Sequence, residues 1–107
     1  MLKLRTLRAL GLDVGSKTIG IAVTDEAEIA AHPHEVLARR GTDTDVSAIS
    51  TLVDNLDITD VVIGMPFELD GKIGHRARRV QQFAQALRAR LAPAVKLHEQ
   101  DERFTTA

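Results

Sequence analysis

The stretch "RALGLDVGSKTIGIAVTDE", residues 8–26, carries a lone carboxylate, Asp13, at the end of an apolar run and just before a glycine turn. An acid at the buried end of a strand needs a cation, a set of donors or a metal beside it, because an unpaired buried carboxylate is strongly unfavourable. Gly11 and Gly15 flank it and let a backbone or a ligand approach closely. A second acidic stretch, "EQDERFTTA", covers residues 99–107. If residues 95–99 form a parallel neighbour of the first strand, Asp101 and Glu102 emerge at the same edge as Asp13. Carboxylates converging from two strand ends suit Mg²⁺ or Mn²⁺, which prefer oxygen ligands. A pair of such ions roughly 3.5–4 Å apart can clamp an in-line attack on a phosphodiester.

A third constellation is basic. Lys72, His75, Arg76, Arg78 and Arg79 open a long helical pattern beside the loop "GMPFELDG", with Arg88 and Arg90 beyond, and no acid follows Asp70 within the cluster. Such a patch suits phosphate contacts that position a duplex without reading its sequence. Singly, each feature has an ordinary structural reading: a turn aspartate, a charged strand exit, a solvated helix face. The four histidines, His32, His34, His75 and His98, show no metal-ligand spacing, and His98 alternates with Leu97 as on a strand face.

The composition sets bounds on these chemistries. A chain of 107 residues, 44% hydrophobic and 27% charged, forms one ordinary globular domain with a modest core. The net charge of −1 leaves any polyanion site to local clustering of Lys and Arg. The absence of cysteine excludes disulfide, zinc-thiolate and thiol-nucleophile chemistry and fits a cytoplasmic location. "MLKLRTLRAL" is broken by Lys3, Arg5 and Arg8, so it does not read as a signal peptide, and no apolar run reaches the length of a membrane span. Three phenylalanines are too few for a base-stacking platform, so a nucleic-acid partner would be read by backbone and shape.

The elements that must position these residues follow from periodicity. Leu7 to Val14 reads as a strand buried on both faces. Lys17 to Thr24 reads as its antiparallel partner across a short "GS" turn, with Gly15 in the left-handed region. Ile29 to Arg40 is a weaker strand disturbed by Pro33. Val46, Ile49, Val53 and Leu56 then share a helical face, with Thr42, Asp43 and Thr44 as N-cap candidates. "DVVIGMP", residues 60–66, is a buried strand stopped by Gly64 and Pro66. Ile73, Ala77, Val80, Ala84, Leu87 and Leu91 form one stripe of a long helix closed by Pro93, and "AVKLHEQDE" is a last strand. Three antiparallel strands followed by β-α-β crossovers define an α/β mixed sheet with helices on its faces.

A D-x-G hairpin followed by Lys or Thr occurs in metal-dependent nucleases of the ribonuclease H type and in the phosphate loop of actin-like ATPases. The latter need a second half-domain, for which 107 residues leave no room. Three stretches in order, "LGLDVGSKTIGIAVTD", "VVIGMPFELDGKIG" and "DERFTT", resemble the YqgF (RuvX) family over nearly the whole chain from Leu10.

The resemblance implies a ribonuclease H-like fold. It also implies a metal-dependent nuclease acting on structured nucleic acid, most directly the 5′ end of pre-16S rRNA. A Holliday junction resolvase on four-way DNA and a non-catalytic rRNA-binding or ribosome-assembly module are the alternatives. Residue by residue, it implies that Asp13 is the first metal-binding carboxylate and Glu102, with Asp101 beside it, the second. Lys17, Arg103, Thr105 and Thr106 match positions near the scissile phosphate, and Thr18 stands where the family often has Arg. Family members continue with a C-terminal helix carrying a further Asp. The expectation is therefore a single domain over residues 1–107 without that helix, monomeric or homodimeric, with one sheet face exposed or filled by a partner.

Overall fold

The computed structural model describes residues 8–25, 32–66 and 74–101. Seven elements follow one another: β1 (Arg8–Val14), β2 (Thr18–Asp25), β3 (His32–Ala38), α1 (Thr42–Asn55), β4 (Asp60–Met65), α2 (His75–Arg90) and β5 (Lys96–Asp101). They form one five-stranded sheet in the order β3-β2-β1-β4-β5. β1, β2 and β3 are successively antiparallel, whereas β4 runs parallel to β1 and β5 parallel to β4. This is the α/β mixed sheet that the order of periodicities predicts.

One placement differs from the sequence expectation. β5 is not a direct neighbour of β1, because β4 lies between them, with Leu12 level with Ile63 and Ile63 level with Glu99. The crossover through α1 delivers β4 to the free edge of β1 first, so the next right-handed unit adds β5 outside β4.

Both helices pack on the same face of the sheet. Leu10, Leu12 and Val14 of β1, Ile19 and Ile21 of β2, and Val61, Ile63 and Met65 of β4 meet Val46, Ile49 and Val53 of α1 and Ala77, Val80, Phe83, Ala84 and Leu87 of α2 in one core. Each buried Val, Leu, Ile, Met or Phe side chain contributes roughly 1.5–3 kcal/mol. Phe83 joins the expected α2 stripe because it lies three residues after Val80, while Ile73 lies outside the described residues. Among the described residues no helix covers the opposite face, which carries Gly11, Asp13, Gly20, Val36 and Val62. Val36 there is 69% exposed.

The turns correct two local expectations. The β1–β2 hairpin closes on Gly15 and Thr18, whose backbone hydrogen bond is 2.8 Å, so Ser16 and Lys17 form its tip. Gly15 is not in the left-handed region. Its missing side chain matters because a Cβ there would come 3.0 Å from the Thr18 carbonyl oxygen. The N-cap of α1 is Gly41, at φ 123°, and not one of the three polar residues after it. With no side-chain cap, Asp45 reaches back instead and accepts the Arg40 N–H at 3.1 Å, much as the acid of a capping box does. The β2–β3 register shifts between Ile21 and Ala22 of β2, which pair with Glu35 and Pro33 of β3. A proline that cannot donate is tolerated on an edge strand with such a bulge.

Candidate active site

Asp13 is exposed, which corrects the reading of β1 as buried on both faces. The strand alternates: Leu10, Leu12 and Val14 point into the core and Asp13 points the other way, onto the open face. Its cross-strand partner is Gly20. One step on from the Leu12–Ile63 pair, Gly64 of β4 comes level with Asp13, and Gly64 in turn pairs with Gln100. The carboxylate therefore stands between two glycines on a strip of sheet without flanking side chains, solvated rather than confined. The problem of an unpaired buried acid does not arise.

Asp101 lies at the same edge but on the other face. It pairs with Met65, which is fully buried, and is itself half-buried on the helix side. The sheet thus brings Asp101 to the level of Val14 without turning it toward Asp13. Glu102, Arg103, Thr105, Thr106 and Lys72 lie outside the described residues.

The basic groups gather where the sequence places them. Lys17 is exposed at the hairpin tip directly after Asp13. α2 runs back from the carboxyl end of β4, so His75, Arg76, Arg78 and Arg79, all exposed, open at the edge where β1 and β4 end. Arg88 and Arg90 lie in the last turn of this 16-residue helix, about 20 Å away. The first turn of α2 has no acidic residue and its N-cap, Gly74, makes no side-chain hydrogen bond. The positive end of the helix dipole and the exposed arginines therefore lie at the same end of α2.

Two charged groups that sequence reading missed tie this edge together. Arg39 donates from Nε to Asp45 Oδ2 at 2.7 Å and from Nη1 to the Gly15 carbonyl at 2.9 Å. Its backbone N–H donates to the Lys17 carbonyl at 2.8 Å, and its guanidinium lies 5.4 Å from the centre of the Phe83 ring. Asp45 is 3% exposed, the one buried charged side chain among the described residues. Its signal in the sequence is its spacing, four residues before Ile49 on the apolar stripe of α1.

A separate polar pair sits at the other end of the sheet. His98 Nε2 donates to Asp60 Oδ2 at 2.8 Å, and the Thr59 hydroxyl donates to Asp60 Oδ1 at 2.7 Å. These bonds, His98 first, hold the Asp60 carboxyl below its ordinary value of 3.8 against the opposing effect of burial. Asp60 stands four residues before Gly64 on β4, about 13 Å along the strand, and takes no part in the Asp13 edge.

As a metal site, the described residues fit in kind and are incomplete in number. Asp13 offers a hard, solvent-facing oxygen donor suited to a divalent cation, but no three potential ligands converge among the described residues.

The fold is that of the ribonuclease H-like nucleases. A Thermus thermophilus RuvC solved with a Holliday junction substrate superposes with a TM-score of 0.62 at 16% identity, covering 91% of this chain and 66% of that one. Another Thermus thermophilus RuvC structure gives 0.60 at 17%, covering 89% and 64%. The chain spans just under two thirds of both. The family described as "RuvX: Holliday junction resolvase" matches residues 7–107, and the chain belongs to it. Among its relatives, a Desulforudis audaxviator protein named "Putative pre-16S rRNA nuclease" is 41% identical, covering 94% of this chain and 70% of that one. A Lachnospira eligens protein of the same name is 38% identical, covering 94% and 72%.

Proposed function

We propose that this chain is a divalent-metal-dependent nuclease that hydrolyses a phosphodiester in structured nucleic acid, with the 5′ end of precursor 16S rRNA as its substrate, in the cytoplasm. The observation that carries the proposal is the exposed Asp13 carboxylate between Gly20 and Gly64, at the edge where the arginines of α2 begin. Ligands of open α/β sheets sit outside the carboxyl ends of the strands, which is this edge. Family membership and the names of the relatives support the substrate.

Asp13 and Glu102 would hold the cation, Mg²⁺ or Mn²⁺. The family resemblance supports Glu102 in this role, whereas Asp101 faces away from Asp13. When bound, such a cation supplies an activated water and charge neutralisation at the phosphate. Lys17, Lys72, Arg76, Arg78 and Arg79 hold the phosphates on either side by charge, which fixes the duplex without reading its bases. Arg103, Thr105 and Thr106 would add donors beside the scissile group. The bare strip beside Asp13 lets a sugar-phosphate backbone lie close to the sheet.

Incubation with a precursor 16S rRNA carrying its 5′ extension, with Mg²⁺ or Mn²⁺, should shorten that end, and Asp13→Asn should not. Cleavage unaffected by that substitution would refute the reading. Four-way DNA is the second reading, favoured by the family's description, and cleavage of a junction in preference to the rRNA precursor would establish it.

A further inference from the structure

The hairpin tip that follows Asp13 has no apolar side chain to anchor it: Ser16, Lys17 and Thr18 are all exposed. Its two outward carbonyls, those of Gly15 and Lys17, are both taken by one residue far along the chain, Arg39. That arginine is itself fixed on its other edge by the buried Asp45 carboxylate at 2.7 Å and lies against the Phe83 ring. A guanidinium presents its donors in a rigid planar fork, so fastening one edge to Asp45 determines where the other edge holds Gly15. The backbone bond to Lys17 adds a second point, which makes rotation of the tip unfavourable. We propose that Arg39 is a positioning residue of the active site: it holds the Gly15–Lys17 turn, and with it the Asp13 carboxylate and the Lys17 ammonium, in register with α1 and α2.

This role rests on the reading of Asp13 and Lys17 as site residues. The Arg39 guanidinium is engaged by Asp45, the Gly15 carbonyl and the Phe83 ring. It acts through the turn. A lysine can replace its charge and one hydrogen bond but not the fork, and a methionine replaces only its bulk. Small displacements of groups that hold a reacting phosphate lower turnover far more than binding, by as much as about 100-fold for a shift near 1 Å.

The test compares the wild-type chain with Arg39→Lys, Arg39→Met and Asp13→Asn, well below each melting temperature. Cleavage of precursor 16S rRNA is followed in Mg²⁺, and amide hydrogen exchange is followed over residues 13–20. The expected result is a kcat lowered roughly 10- to 100-fold in Arg39→Met with KM within about twofold, and an intermediate kcat in Arg39→Lys. Exchange at Gly15 to Thr18 should accelerate in the same order, a readout that holds even for a variant with no measurable activity. Wild-type kcat in both Arg39 variants with Asp13→Asn inactive would overturn the role of Arg39 alone, as would unchanged exchange in Arg39→Lys. Wild-type cleavage by Asp13→Asn would instead overturn the site reading on which the role depends.

Discussion

Asp13 stands opposite Gly20 across the β1–β2 ladder, and a methyl group built on Gly20 would lie 3.7 Å from the Asp13 Cβ. That separation is ordinary van der Waals contact, so Gly20→Ala should fold normally. A branched side chain at the same place would lie alongside the carboxylate. Gly20→Val is expected to lower the apparent affinity for Mn²⁺ while keeping the sheet, as titration of cleavage against Mn²⁺ will show.

Asp13→Asn should abolish cleavage and leave stability within about 0.5 kcal/mol of wild type, because the side chain is exposed and makes no contact in the core. Urea denaturation beside the cleavage assay checks both halves. A loss of several kcal/mol would mean that the carboxylate has a structural role the sheet does not reveal.

The Arg39–Asp45 pair carries a stability prediction of its own. Asp45→Ala leaves a largely buried guanidinium and the Arg40 N–H without their acceptor, at a cost of about 3–5 kcal/mol. Replacing both partners by apolar residues, Arg39→Met with Asp45→Leu, should cost less than the sum of the two single changes. Denaturation of the four proteins gives the coupling directly.

Neutralising Arg76, Arg78 and Arg79 should weaken binding of an RNA duplex and reduce the slope of log affinity against log salt. The slope should fall by about one unit for each phosphate that the helix no longer neutralises. Arg88→Ala and Arg90→Ala, at the far end of α2, should leave the slope unchanged. Anisotropy titrations between roughly 50 and 200 mM salt span the needed range.

The Asp60 carboxyl is held below 3.8 in the folded chain by His98 and Thr59. A depressed carboxyl contributes stability that is fully present above its unfolded pKa and is lost as pH falls through its folded one. The difference in stability between wild type and Asp60→Asn should therefore hold steady above pH 3.8 and close below it. Thermal melts across the acid range measure that gap.

Strand and helix types, their order and the antiparallel-then-parallel plan were legible because each segment's period is a local property. Val46, Ile49 and Val53 announce a helical face, and the "DVVIGM" run announces a strand, whatever surrounds them. The turn details were less so. Gly15 and Gly41 are both glycines beside elements, and only the closing hydrogen bond and the φ of 123° show which one needs the left-handed region. Asp43 and Asp45 read alike in the first turn of α1, and only the position of Arg39 makes one of them a buried partner.

By itself the sequence determined that Asp13 lies near the end of a strand, and that Lys72 to Arg79 gather at the opening of one helix. It also determined the family, through motifs that lie in fixed order. Only the tertiary structure decided that Asp13 is exposed, that Asp101 faces away from it, and that Arg39 grips the turn between them and α1. The physical reason is that periodicity fixes which residues share a face, whereas which face is covered depends on where distant elements pack. Here both described helices packed on one side of the sheet, and the acid that looked buried was left on the other.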